Sequence, residues 1–512
     1  MADSPPGTRI AAGVASAGAA GAVVAFGVTQ LVSALVSPAS DARAAVGAAI
    51  IDLTPGSVKE WAIQTFGTAD KLFLSVMVLA VVIAVAAMAA TRERSRVPLG
   101  TVTLLVFGGA GCAAVLARPG AGLLDAVPTL VGTGCGVAVL RFLTASAPDG
   151  GTADTDTDTG RRRSLQTLAF LGLGTATGVG GVLTSRRLQS VATEIETADL
   201  PPVARPAPPI PPGVQPPLAG LPSFVTGNAD FFRIDTALRV PQLSRRDWTL
   251  RIHGMVGREI TYTFDDLQRF EPVQRAITLT CVSNPIGGDL ISNAVWTGYR
   301  IRDLLRDAAI ADDADMVLST SVDGFTVGTP VEALTDDRDA LLAIGMNGVP
   351  LPPEHGYPAR LVVPGLYGFV SATKWVVDLE LTRFDRAEAY WTRLGWSAQA
   401  PIKTGSRIDV PRAGARLKAG PVTLGGVAWA QGRGIGAVEV RIDDAEWRPA
   451  TLGAAYSHDT WRLWTFDWQA TPGPHTITVR ATDNTGTVQT ADRSSPIPDG
   501  ATGWPSITVD VR

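Results

Sequence analysis

The sequence predicts a multi-domain protein: a helical membrane region first, a mixed α+β domain in the middle, and an all-β sandwich at the C-terminus. Three observations predict it. Apolar runs near the length of a bilayer crossing crowd the first 190 residues. Residues 201–222, PPVARPAPPIPPGVQPPLAGLP, are nearly half proline and separate those runs from the rest. Beyond them helical and strand patterns mix until about residue 405, after which only short alternating strands remain. The net charge of −4 and pI near 5.7 give no footing for nucleic-acid binding.

Residues 1–190 read as an anchor of about five transmembrane spans. The first lies between Arg9 and Asp41, the second between Lys71 and Arg92, and the third between Arg96 and Arg118. A shorter, Gly-rich run follows Asp125 and ends before Arg141, and SLQTLAFLGLGTATGVGGVLTS lies between Arg163 and Arg186. The first run is too long for a cleavable leader and shows no cleavage site. Arg92, Arg94 and Arg96 follow the second span, and Arg161, Arg162 and Arg163 precede the fifth. The positive-inside bias places both loops in the cytoplasm, so everything after residue 186 is expected on the extracytoplasmic side of the cell membrane. GGTADTDTDTG is expected as a flexible cytoplasmic loop.

Residues 191–222 read as a Pro-rich linker, a semi-rigid polyproline spacer able to hold the next domain away from the bilayer. The mixed domain follows at 223–400. DWTLRIHGMV alternates Trp248, Leu250 and Ile252 against Thr249, Arg251 and His253, which predicts a half-buried strand. TFDDLQRF opens with Thr263 and Asp266 at capping-box spacing. GYRIRDLLRDAA puts Ile301, Leu304, Leu305 and Ala308 on one helical face. ARLVVPG and TKWVVDLEL read as buried strands. In 405–512, AVEVRID, RLWTFDW and HTITVRATD alternate between turn signals, the pattern of a sandwich. No internal repeat is visible.

ITLTCVSNPIGGD contains Cys281, the only cysteine after residue 135. A cysteine in this position reads either as a small buried hydrophobe or as a metal ligand. The apolar run AITLT before it and the paired glycines after it place a thiolate at a strand end beside a hollow, which suits a soft metal centre. Zinc is a poor candidate, because the four histidines, His253, His355, His458 and His475, are scattered without ligand spacing. With a single thiolate, the metal must arrive already held by a cofactor.

Here the chain resembles a known family. TLTCVSNPIGGDLISNAVWTGYRIRDLL, SVDGFTVGTP and MNGVPLPPEHGYPARLVVPGLYGFVSATKW resemble, in order, the molybdopterin domain of sulfite oxidases. Residues 405–512 resemble the immunoglobulin-like dimerisation domain that follows it in such enzymes. The resemblance implies a molybdenum cofactor, Mo-molybdopterin, with Cys281 as the protein thiolate on the metal. It implies that Asn228, Phe231, Phe232 and Arg233 of NADFFR border pterin and metal, and that His355 and Arg360 of HGYPAR bind the phosphate end. Ser371, Ala372, Thr373 and Lys374 of SATKW would close the site, with Asp323 of SVDGF divided between site residue and turn former. Such a centre performs two-electron oxygen-atom transfer, for which an oxyanion substrate needs nearby arginines; Arg233 and Arg433 are the catalytic candidates beside Cys281.

The chain departs from sulfite oxidases in two places. Their phenylalanine pair is followed by Arg-Asn-His, where this chain reads Arg233, Ile234, Asp235. Their active-site tyrosine falls near YWTRLGWSAQAP, where Trp396 stands. Oxidation of a sulfite-like oxyanion stays the favoured reading on the strength of the arginines, and these departures keep beside it reduction of an S- or N-oxide as in methionine sulfoxide reductases. A cofactor-free adhesion or sensor module on the same fold is the alternative from another class. Residues 1–252 contain no histidine and the chain has no CxxCH, so no haem is expected; electrons pass to or from a separate partner, or the spans serve only as anchor and partner platform. GRRRSLQTLAF, with Arg162 and Arg163, resembles a twin-arginine export signal. The sandwich makes a homodimer plausible.

Overall fold

The protein is described here by a computed structural model, which describes residues 6–37, 40–55, 58, 65, 70–118, 121–145, 156–188, 191–237 and 239–512. The chain divides into two units: residues 1–190 with the short segment 236–240, and residues 191–235 with 241–512.

The first unit is helical: α1 (Pro6–Val36), α2 (Ala42–Leu53), α3 (Asp70–Ala90), α4 (Leu99–Leu116), α5 (Val127–Ala145) and α6 (Asp156–Leu188). Among the described residues, five helical stretches are long and apolar enough to cross a membrane: Gly13–Val36, Phe73–Ala90, Leu99–Leu116, Leu123–Ala145 and Arg161–Ser185. Their Ala- and Gly-rich composition has a packing reason. A Cβ on Gly21 would stand 2.9 Å from the Gly136 carbonyl oxygen, and one on Gly18 would stand 2.6 Å from the Ala90 Cβ. Backbones approach this closely only where side chains are small. The fourth run extends past Arg141 to Ala145, because Arg141 Nε reaches Thr101 Oγ1 (3.4 Å) and its charge need not end the helix. α2 carries no sequence expectation; it starts at Asp41, whose carboxylate accepts from the Ala44 N–H. Most of the expected GGTADTDTDTG loop lies outside the described residues, and its last five residues open α6.

The second unit begins with a six-residue helix, α7 (Ala192–Thr197). Its mixed part holds two sheets. One runs β3 (Pro272–Thr280), β4 (Ile291–Arg300), β7 (Leu341–Met346), β8 (Val349–Pro350), with β9 (Arg360–Val362) also on β7. The other runs β2 (Ile260–Thr263), β1 (Thr249–Gly254), β10 (Val376–Thr382), β5 (Met316–Ser321), β6 (Thr326–Pro330). In β1 the alternation buries Leu250 and Ile252 and exposes Thr249 and Arg251, as the period of two requires. Thr263 and Asp266 close a reciprocal capping box on a short 3₁₀ turn. Ile301, Leu304 and Leu305 of α8 (Ile301–Arg306) are fully buried. β7 turns into β8 through Asn347 and Gly348, both at positive φ, the two-residue turn that Asn-Gly favours.

The C-terminal part is a sandwich of two sheets, built from β11 (Gly405–Val410) to β19 (Ser506–Val511). Leu424, Val438, Val440, Trp464, Ile477 and Val479 fill its interior.

The Pro-rich stretch departs from the spacer expectation. It lies along the second unit: Arg205 O accepts from Gln274 N–H (2.9 Å), Gly213 O from Ala454 N–H (2.9 Å), and Pro208 O from Tyr456 OH (2.7 Å), while Val214 is buried. Proline removes donors but keeps carbonyls, so an extended Pro-rich strand still accepts bonds along one edge. Residues 191–200 also belong to this fold, since Val191 and Ile195 pack with Phe231, Trp296 and Tyr357.

Candidate active site

Cys281 is the first residue after β3, a 9% exposed thiol at the mouth of the β3–β4 connection. The loop closes on itself: Cys281 N–H donates to Leu290 O (2.9 Å), Asn284 N–H to Cys281 O (3.1 Å), and Leu290 N–H to Asn284 Oδ1 (3.0 Å). The glycines after it face protein rather than an open hollow, which corrects the expectation. A Cβ on Gly288 would stand 2.6 Å from Pro285 Cδ, and one on Gly287, at φ +70°, would stand 3.1 Å from Pro505 Cβ of the sandwich. The sandwich holds this loop elsewhere too. Arg407 Nη1 donates to Gly288 O (3.2 Å), and buried Gln431 Nε2 donates to Thr278 O (3.2 Å) and Thr280 Oγ1 (3.0 Å). Gln431 Oε1 is buried without a hydrogen-bond partner.

The structure brings most of the other candidates into one cluster. Phe231 stacks on Phe232 at 5.3 Å and meets His355 and Trp296 edge-on at 5.5 and 5.6 Å. His355 Nε2 faces Asn228 O at 2.8 Å. Burial lowers its pKa to about 4, so the ring is neutral at pH 7 and Nε2 carries the proton it donates. The Asn228 side chain is held by the β7–β8 turn: Asn347 Nδ2 donates to Asn228 Oδ1 at 2.7 Å. Arg360, at the start of β9, is 5% exposed and lies over the Trp296 ring at 5.1 Å. Its guanidinium donates only to carbonyls: Leu361 O, His355 O and Ala372 O. Burial pulls it down to about 9. Lys374 Nζ reaches Asp235 at 3.0 Å and Glu354 O at 3.3 Å; burial brings it down to about 8, against the pull of Asp235.

Other candidates serve the fold first. Ser371 Oγ donates to Tyr367 O and Leu366 O, and Thr373 Oγ1 shares a hydrogen bond with Ser319 Oγ, so both hydroxyls are engaged inside the protein. Asp323 is a turn former: its Oδ1 accepts from Phe325 N–H in the β5–β6 hairpin. Arg433 is held by the sandwich, through Asp483 (2.8 Å), Thr404 Oγ1 (3.1 Å) and Ile402 O (3.1 Å).

Sequence reasoning missed Asp235, Trp296, Asn347, Tyr357 and Tyr367. Asp235 was visible only as a departure; its carboxylate, almost fully buried, lies between Arg233 (2.9 Å) and Lys374 (3.0 Å). Trp296 sat unremarked inside NAVWTGYRI. Tyr367 is buried one residue before Gly368, whose Cβ would approach Thr280 O at 3.8 Å. Burial first, with Asp499 and Cys281 adding, pushes its phenol up to about 12.

A phosphate-bearing cofactor fits this donor set on one decisive count. Arg360 is a buried cation with no carboxylate beside it among the described residues, a state that is costly until an anion arrives.

The comparisons bear on the same residues. Residues 237–391 match an oxidoreductase molybdopterin binding domain, and 406–479 match a bacterial Ig domain. An uncharacterized oxidoreductase of Bacillus subtilis, YuiH, is 32% identical over 149 residues, covering 29% of this chain and 72% of that protein. The chain belongs to the sulfite oxidase family of molybdopterin oxidoreductases. Mouse mitochondrial sulfite oxidase is 27% identical over 323 residues, 54% of this chain and 58% of its own length. A barley nitrate reductase is 28% identical over 271 residues, 42% of this chain and 30% of its own. The chain thus spans little more than half the length of the mammalian sulfite oxidases it matches. The family's cofactor is molybdenum held by molybdopterin; His355, Arg360 and Lys374 lie inside the matched segment, while Asn228, Phe231, Phe232 and Asp235 lie just before it.

Proposed function

We propose that the chain is a membrane-anchored, extracytoplasmic molybdenum oxidoreductase that moves an oxygen atom to or from a small substrate, with a sulfite-like oxyanion favoured. The observation that carries this reading is Arg360, a buried guanidinium met only by carbonyls, beside Lys374 and neutral His355. In this reading Arg360 and His355 hold the cofactor's phosphate end, Lys374 adds charge, and Phe231 and Phe232 flank the pterin. Backbone groups of Ala372, Thr373 and Lys374 close the site. Cys281 binds the metal as thiolate, which supplies the two-electron oxygen-atom chemistry when bound. Arg233 presents its guanidinium, steadied by Asp235, to an anionic substrate. Arg433, whose Nε and Nη2 are engaged, is the second candidate cation for that substrate.

A second reading, reduction of an S-oxide, draws support from the aromatic row Tyr390, Trp391, Trp396 and Phe369, with ring centroids 5.1–6.0 Å apart. Such a row favours a neutral, apolar substrate.

The test is molybdenum and pterin content of the detergent-purified full chain, beside Cys281→Ser, both made in cofactor-competent cells. About one molybdenum per wild-type chain, with oxidation of sulfite by an artificial acceptor lost in the variant, supports the first reading. Turnover of methionine sulfoxide with an artificial donor, and not of sulfite, moves it to the second. No molybdenum in either protein sinks both and leaves a cofactor-free binding module.

Residues 223–400 and 405–512 act as one catalytic body in this proposal. The short loops flanking the second and fifth spans carry arginines, which supports an outward catalytic unit. Arg162 and Arg163 serve as a twin-arginine signal, so that Lys at both positions blocks export of the folded unit although the charge is kept. Export of the Lys variant at the wild-type level would remove that role. The electron partner is a separate protein, and a homodimer through the sandwich is to be read from the mass of the purified protein.

A further inference from the structure

We propose that Glu194, on the short helix α7 just after the last candidate span, is a positioning residue of the cofactor site; the role rests on the molybdenum reading above. Its carboxylate gathers donors from two other parts of the domain. Oε1 accepts from Tyr357 OH (2.7 Å) and Arg245 N–H (2.9 Å), and Oε2 accepts from Ser244 OH (2.7 Å). Hydrogen bonds to a carboxylate are stronger than those between neutral groups.

Tyr357 is the middle of HGYPAR, between the two residues assigned to the phosphate end. It is 3% exposed, and the loop around it has no slack. Gly356, at φ +112°, would place a Cβ 3.0 Å from Arg360 Cβ and 3.3 Å from Lys374 Cα. Arg360 Nη1 in turn donates to His355 O at 3.1 Å. Tyr357, His355, Arg360 and Lys374 therefore form one close-packed piece, and Glu194 grips it from behind. The flanking residues support the grip. Val191 and Ile195 pack in the same cluster as Phe231, Trp296 and Tyr357, and a Cβ on Gly345 of β7 would stand 2.7 Å from Leu200 Cδ1. The chain then runs on to Arg205, which pairs with Val273 on β3, the strand that ends just before Cys281.

This strap lies outside residues 237–391, the segment matched by the cofactor-binding family. The segment joining the last span to the enzyme thus completes the back of the cofactor site, and cofactor retention depends on it.

The experiment uses the detergent-purified, cofactor-loaded full chain and the variants Glu194→Ala, Tyr357→Phe, the double variant and Glu194→Gln. Molybdenum and pterin remaining per chain are followed during dialysis, and melting of the cofactor-free chains is measured alongside. The expected result is roughly tenfold faster release in each single variant, about 1.4 kcal/mol. The double variant releases no faster than the singles, Glu194→Gln falls between, and the release is faster even at temperatures where every cofactor-free variant is fully folded. Release at the wild-type rate in both single variants overturns the role while the molybdenum reading stands. Faster release only in step with a lowered melt makes Glu194 an ordinary fold contact and also overturns it. If Glu194→Ala does not fold, Tyr357→Phe decides alone. A wild-type chain without molybdenum refutes the cofactor reading itself, and this role with it.

Discussion

Replacing Lys374 by Met should stabilise the cofactor-free protein while weakening its hold on cofactor. The Lys374 ammonium is 11% exposed, and burial brings its pKa from 10.5 down to about 8. At 1.36 kcal/mol per pH unit, keeping it charged costs about 3 kcal/mol of stability near neutral pH, a figure that already includes Asp235. Met has similar bulk and no charge. Its substitution also removes one of the two cations on Asp235, leaving Arg233 at 2.9 Å, so we take the net gain as about 1–2 kcal/mol. In a unit of about 300 residues that raises the melting temperature by roughly 2–4 °C. The sign with pH is fixed. The unfolded chain holds the Lys374 proton more tightly, so the wild type carries its penalty below pH 8 and sheds it as pH rises from about 8 toward 10.5. The Met advantage is greatest at pH 7 and shrinks by pH 9.5. Thermal unfolding of both cofactor-free proteins in detergent at the two pH values is the assay. A Met variant that melts lower at pH 7, or a gap independent of pH, would refute the reasoning.

Two further outcomes follow from the same geometry. Asp483 is buried; burial alone would raise its pKa, but hydrogen bonds from Thr485, Arg433 and the Thr487 and Thr485 N–H groups outweigh that and hold it at about 2. Its contribution, about 2 kcal/mol, is present above pH 3.8 and lost as pH falls through 2. Asp483→Asn should therefore lower the urea midpoint at pH 7 and flatten its fall between pH 4 and 2. Gly298→Ala would push a Cβ to 2.7 Å from Ala343 Cα and 2.9 Å from the Leu342 carbonyl carbon, forcing β4 and β7 apart. A loss of about 1–3 kcal/mol in thermal stability is expected, and an unchanged melt would mean that the two strands separate freely.

What the sequence showed depended on whether the signal was local. The long apolar helices were legible because hydropathy accumulates along a single run, and β1 or α8 because burial follows the side-chain period. The residues proposed for the cofactor stood out as motifs: Arg360 and His355 share one hexapeptide. The misses are tertiary. No local pattern says that Arg205, Pro208 and Gly213 offer carbonyls to residues far along the chain, so the Pro-rich stretch read as a spacer. Nothing in NADFFRID shows that Asp235 will stand between Arg233 and Lys374, 139 positions apart in the second pair. That Arg433 is also tied to a carboxylate, Asp483, could not be seen, because the two are 50 residues apart. α2 escaped because a twelve-residue helix is too short to announce itself by hydropathy.

The Cys281 loop rests on Pro505, Arg407 and Gln431, all contributed by the sandwich. This makes the C-terminal module a poor unit of exchange. A recombination that kept the cofactor-binding segment but swapped its β-sandwich would preserve every motif around Arg360 and still leave the cysteine's loop without its wall. Fusions and chimeras of this chain should therefore be cut before Val191 or after the last strand, not at the apparent seam near residue 405, and lineages carrying this loop are expected to inherit both modules together.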